Sequence, residues 1–132
     1  MTLGTVLALA GAALATILAG IGSAKGVGMA CEVGMGVLAE DSSKFGKMLV
    51  LELLPGTQGL YGFIVSFIVL TKIGVFGGSA NLATWEGGMI LAACLPIAIG
   101  GLMSGISQGK AAVAGIRFLL RTTAPSRRLS YP

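Results

Sequence analysis

The chain has 132 residues, 55% of them hydrophobic and only 11% charged, with a net charge of +4 and no histidine; its mean hydropathy is +0.92. A soluble domain carries about 25% charged residues, so the composition excludes an ordinary water-soluble fold and indicates a membrane protein. Cys31 and Cys94 form no CxxC pair, which together with the missing histidine excludes zinc sites and histidine-based catalysis.

Three uncharged runs, residues 1–24, 53–71 and 87–109, each meet the ~17–25 residues that a spanning helix needs. The expected fold is therefore all-α, a single membrane domain over residues 1–132 with no soluble domain left over. The first ten residues contain no Lys or Arg, and the long apolar run reads as a retained span instead of a secretory signal.

The first span starts near Leu3 and can run to Leu38, because Lys25 and Glu32 interrupt it only singly. Along it Gly4, Ala8, Gly11, Ala15, Ala19, Gly22 and Gly26 recur every three or four residues. That spacing puts a strip of small residues on one helical face, where helices can approach closely in lipid. The polar segment Glu40 to Lys47 then reads as a hairpin loop.

The second span contains a helix-breaking and polar insert, Leu53-Leu54-Pro55-Gly56-Thr57-Gln58-Gly59-Leu60-Tyr61-Gly62-Phe63. From residue 53 to 71 there are 19 uncharged residues, roughly 28 Å of helix against a bilayer core of ~30 Å, so Thr57, Gln58 and Tyr61 belong at membrane depth. Leu54, Thr57, Gln58 and Tyr61 share one helical face. Pro55 cannot donate to the carbonyl of Leu51, which frees an acceptor. From the residues alone these groups serve either to hydrogen-bond between helices or to hold a polar ligand, since amides and hydroxyls in lipid need partners and hard cations take oxygen ligands.

A weaker turn, Gly77-Gly78-Ser79-Ala80-Asn81, leads to the third span, about Leu82 to Leu120, with Trp85 as an interfacial anchor. Lys25, Lys44, Lys47, Lys110, Arg117, Arg121, Arg127 and Arg128 fall on one side of the membrane and Lys72 on the other. The excess of positive charge marks the cytoplasmic face, so the N-terminus is expected outside and the tail inside. Basic residues placed between and after hydrophobic runs also argue against nucleic acid as a partner.

Gly20-Ile21-Gly22-Ser23-Ala24-Lys25 matches Gly105-Ile106-Ser107-Gln108-Gly109-Lys110 at an offset of 85, so the second half repeats the first. The third span carries its own small strip (Gly88, Ala92, Gly100, Ser104, Ser107, Ala111) and takes the structural part of the first. On this alignment Cys94 corresponds to Leu9, roughly 33 Å along the helix from Cys31, too far for a disulfide; both cysteines are expected to pack. A partner for the second span would begin near position 133, whereas residues 121–132 are polar, basic and proline-containing. The plan is a transmembrane hairpin (1–74) plus an incomplete second hairpin (third helix 75–120, atypical tail 121–132), three spans of a four-helix scheme.

The insert at 53–63, the run Gly20 to Met29, and Leu95-Pro96-Ile97-Ala98 followed by Ser104 to Lys110 together resemble the membrane-ring proteolipids (subunit K) of V-type ATPases and ATP synthases. The resemblance covers about residues 3 to 120. It implies a non-catalytic transport subunit of a rotary ATPase, in a ring of identical copies embedded in lipid and touching stator and central-stalk subunits. The ring carries Na+ or H+ and uses no cofactor. In the sodium-binding members the matching ligands are the Leu54 carbonyl, the Thr57 hydroxyl, the Gln58 amide oxygen, the Tyr61 hydroxyl and Gln108. The family's glutamate lies on a fourth helix.

Gln58 lies near mid-span, so for Gln108 to meet it the third helix must stay embedded past Lys110, which then snorkels or faces the ring interior. Glu52, roughly 9 Å from Gln58 along the helix, is the neighbouring carboxylate and reads as a secondary carrier or as an interfacial or half-channel residue. A missing fourth span predicts a ring that assembles poorly or binds no ion, unless the sequence is a fragment, a frameshifted product or a genuine variant. The alternative is a small oligomeric structural or pore-forming protein, not coupled to ATP.

Overall fold

The computed structural model describes residues 1–78 and 81–123. The described residues form helices α1 (Leu3–Glu40), α2 (Phe45–Leu53), α3 (Thr57–Lys72) and α4 (Thr84–Thr123). Three helical segments, Leu3–Glu40, Ser42–Lys72 and Thr84–Arg121, are long and apolar enough to cross a membrane. The all-α membrane fold expected from composition is thus the observed one. Most of the basic tail, from residue 124 on, and Ser79 and Ala80 of the second turn lie outside the described residues.

Helix α1 is the spine. Its small strip, Gly4, Ala8, Gly11, Ala15, Ala19, Gly22 and Gly26, is buried along its whole length. A Cβ on Gly22 would lie 2.5 Å from the Leu102 carbonyl oxygen, and Gly4, Gly11 and Gly26 approach Ala83, Leu91 and Gly105 in the same way. Contacts that advance together along both chains make α1 and α4 parallel, with backbones nearly touching, as small residues permit where dispersion and not hydrophobicity drives packing. Helix α3 runs antiparallel to α1: Gly59 meets Ser23, Gly62 meets Ala15 and Ala19, and the Ser66 hydroxyl donates to the Ala12 carbonyl beside Thr16 Oγ1.

The face of α4 that covers α1 is Gly87, Cys94, Ala98, Gly101, Gly105, Gly109, Ala112 and Ile116. It is not the strip expected from sequence, because Ala92, Gly100, Ser107 and Ala111 of that strip are exposed and Gly88 and Ser104 half-buried. Both stripes have helical spacing, and choosing between them takes the tertiary contact. Cys94 is free and packs on Gly11, and Cys31 is free and half-buried.

Both turns differ from the sequence boundaries. The hairpin loop is shorter than Glu40 to Lys47: α1 runs through Glu40, and Asp41 caps a single 3-10 turn, Ser42–Lys44. Asp41 accepts from the Ser43 hydroxyl (2.6 Å) and amide (3.0 Å) and pairs with Lys44 at 3.5 Å, and the Ser43 bonds hold its carboxyl below the usual range. The second turn starts earlier than Gly77. Helix α3 ends at Lys72 with Ile73 as its cap, and beyond it the Gly74 amide bonds the Thr71 carbonyl and the Val75 amide bonds the Leu70 carbonyl. That pattern needs a left-handed residue after the cap, and Gly74 supplies it with φ +79°.

The end of the bundle nearest the hairpin loop is closed by Ala30, Val37, Met48, Ala112 and Ile116. The opposite end is tied by Thr2, whose hydroxyl donates to the Leu82 carbonyl at 2.7 Å. Lys25 and Lys110 stand beside a close contact between α1 and α4. Each adjoins a glycine of the Gly26–Gly109 contact, and Gly26 also seats Pro55, so both lysines stand at the level of the break in the second span.

Candidate functional site

The second span is not one helix. Pro55 has no amide hydrogen, and the chain tightens into a 3-10 turn, Leu54–Gly56, between α2 and α3. Pro55 is buried, with its Cβ 2.6 Å from where a Cβ on Gly26 would lie, so only glycine at 26 admits the turn. The break is therefore seated in the wall of α1.

Beside it opens a cavity of about 410 Å³ lined by Leu51, Leu54, Thr57 and Tyr61 from the second span and Gln108, Ala111 and Ala112 from α4. Leu54, Thr57, Tyr61 and Gln108, four of the five residues in the expected ligand set, line one space. Gln58 is half-buried on the flank turned toward α4, its carbonyl near Gly101, and is not part of the lining.

Hydrogen bonds pre-set two of the oxygens. The Thr57 hydroxyl donates to the Leu54 carbonyl at 2.9 Å, and the Thr57 amide donates to the same carbonyl. Both Leu54 lone pairs are thus engaged, and that carbonyl can join a cation's shell only if the Thr57 hydroxyl rotates away. The Thr57 oxygen keeps its own lone pairs for a ligand. Gln108 Nε2 donates to Ser104 Oγ at 3.2 Å, which fixes the amide and leaves its oxygen as the acceptor. From sequence Ser104 stands in the packing strip and opens the Ser104–Lys110 motif, with no role at the site. Its signal was the i, i+4 spacing to Gln108, the reach of a side-chain pair on one helix.

Glu52 is not in the lining. Its Oε1 is buried without a hydrogen-bond partner and occupies the space that a Cβ on Gly34 would fill, with the Cys31 thiol beside the same carboxyl. One residue of helix turns a side chain by about 100°, so Leu51 faces the cavity while Glu52 faces α1. The lining consequently brings the Thr57 and Tyr61 hydroxyls and the Gln108 amide among largely apolar side chains, with no carboxylate, at a helix break on a scaffold of close-packed membrane helices. That describes a small multi-span membrane protein of the proteolipid class, with a few polar groups held at membrane depth.

The family model for the ATP synthase C-subunit matches residues 10–69. The V-type sodium ATPase subunit K of Enterococcus hirae is 48% identical over 118 residues, covering 89% of this chain and 72% of that protein. The A-type ATP synthase subunit K of Methanocaldococcus jannaschii is 43% identical over 111 residues, 84% of this chain but 46% of that longer protein. The chain belongs to the ATP synthase C-subunit family, with V- and A-type subunit K proteins as its relatives.

Proposed function

We propose that the cavity at the Pro55 break is the neutral part of a carrier site for Na+ or H+, and that the chain works as one of several identical subunits in the membrane ring of a rotary ATPase. The observation that carries this is the convergence of Thr57, Tyr61 and Leu54 on one side with Gln108 on the other. Oxygen donors from two packed helices suit a hard cation, and the Ser104 bond holds the amide oxygen ready. The name of the 48% identical relative, a sodium ATPase subunit, supports ion transport.

A bound cation crossing lipid must be neutralised, because an unpaired charge at the bilayer centre costs ~2.5–3.5 kcal/mol on insertion scales. No described residue brings a carboxylate into the lining, so the counter-charge comes from a further segment or subunit. The ring then moves ion and carboxylate past the lipid as a neutral pair, coupled to ATP hydrolysis or synthesis in the soluble part of the complex. Lys44 in the hairpin loop, Lys47 in the first turn of α2, and Arg117 and Arg121 at the end of α4 gather at one end, opposite Lys72. By the positive-inside tendency that end is cytoplasmic, which puts the N-terminus outside.

The test is carbodiimide labelling of membranes that contain the chain in its rotary complex. Sodium-protected labelling, with protection weakened about tenfold or more by Thr57→Val or Gln108→Leu, one lost charge-dipole contact each, is the result for a sodium carrier. Labelling that responds to pH but not to sodium indicates a proton carrier. Labelling indifferent to both overturns the carrier reading in favour of a structural or pore-forming role.

A further inference from the structure

We infer that Arg117 and Glu32 form an electrostatic lock between neighbouring copies of this chain, each Glu32 seated between the Arg117 of its own copy and the Arg117 of the adjacent one. This rests on the ring reading and names the residues that join the copies.

The repeat offset of 85 pairs Lys25 with Lys110 and Glu32 with Arg117. Equivalent places on α1 and α4 therefore carry like charge at one level and opposite charge two turns further on. Within one copy, α1 and α4 pack with Gly4 against Gly87 and Gly26 against Gly109, a register of 83. A ring of alternating α1 and α4 needs the same kind of contact between α4 and the next α1. Exchanging repeat-equivalent positions turns the Gly22–Gly105 contact into Ser107 against Gly20 of the next copy.

The surfaces suit that exchange. Gly20 is half-buried with nothing within 4 Å of its Cβ position, Ser107 is exposed, and the small residues that flank them (Ala13 and Ala24; Gly100 and Ala111) are exposed in a single copy. The charges follow the same mapping. In one copy a groove of about 380 Å³ runs between Glu32 and Met29 on α1 and Lys110 and Arg117 on α4. Its repeat-equivalent between copies is formed by Ala114, Arg117 and Phe118, facing Lys25, Gly28 and Glu32 of the next chain. Those three α4 residues already line a separate recess of about 300 Å³, together with Lys110 and Arg121.

Height decides the pairing. Glu32 is level with position 115 of its own α4 and, by the exchanged register, with position 119 of the neighbouring α4. Arg117 stands midway, about 3 Å in rise from each. Glu32, Lys110 and Arg117 are exposed and make no ion pair among the described residues, where the one such pair is Lys44 with Asp41. A guanidinium with five donors can serve two carboxylates, and closing the belt satisfies charges that are otherwise costly on a spanning helix.

The experiment expresses full-length chains and reads oligomer size in mild detergent by native mass. Glu32→Arg alone and Arg117→Glu alone place like charges at every contact, and each is expected to weaken assembly about tenfold or more. Co-expressing the two single variants restores opposite charges only between copies and should recover mixed oligomers; the double swap in one chain should recover them as well. Recovery by the double swap without recovery on mixing shows the pair to be internal to one copy and overturns the inference. Assembly of the single variants at the parent level overturns it too, with the ring reading intact, whereas a monomeric parent chain overturns both.

Discussion

Glu52 and Gly34 show how one missing Cβ sets the direction of a side chain. Both were visible in sequence, but nothing in the spacing says that the carboxyl turns to α1 and away from the Thr57 face. Helical phase gives that only after α1 is known to lie on that side. Because the Glu52 carboxyl turns into α1 with its Oε1 buried and unpartnered, Glu52→Gln should be neutral or stabilising, since it keeps the shape and removes a charge that is costly to bury. Gly34→Ala should destabilise by about 1–3 kcal/mol through overpacking, and far less in a Glu52→Ala background. Thermal unfolding of the purified chain in detergent measures all three; equal cost of Gly34→Ala in both backgrounds contradicts the contact.

At the scale of helices, two glycines on α1 are expected to respond with opposite sign. A Cβ at Gly22 meets the backbone of Leu102 at 2.5–2.6 Å, which cannot move as a flexible side chain does, whereas Gly36 has nothing within 4 Å. Gly22→Ala should therefore lower stability by about 1–3 kcal/mol, and Gly36→Ala should raise it by about 0.5–1 kcal/mol through helix propensity. Melting temperatures of the two variants decide it. The small strip of α1 was legible because period and burial coincide. The strip of α4 was not, because α4 has two small-residue faces and only packing chooses which one meets α1.

For the whole molecule, the internal repeat predicts how one copy meets the next. With Cys31 and Cys94 replaced by serine and alanine, a chain carrying Gly20→Cys and Ser107→Cys should oxidise into a ladder of covalent multimers. Chains with either cysteine alone should give no ladder. Denaturing electrophoresis reads the result, and a pair that closes only within monomers contradicts the exchanged register. The outer surface agrees with this arrangement: Leu60, Phe63, Ile64, Phe67 and Ile68 of α3 are all exposed, an apolar face fit for lipid while the small faces of α1 and α4 remain for protein.

Composition and periodicity by themselves determined three apolar spans, the small strip of α1, the break at Pro55 and the identity of the polar residues beside it, because each is a local property of the chain. The family resemblance brought Gln108 to that break from 53 residues beyond Pro55 in sequence. Only the tertiary structure decided that Leu54 is already satisfied by Thr57, that Ser104 holds Gln108, that Gln58 stands outside the lining and that Glu52 faces α1. These depend on the angle at which one helix presents its faces to another, and that angle is set by which glycines let the backbones touch.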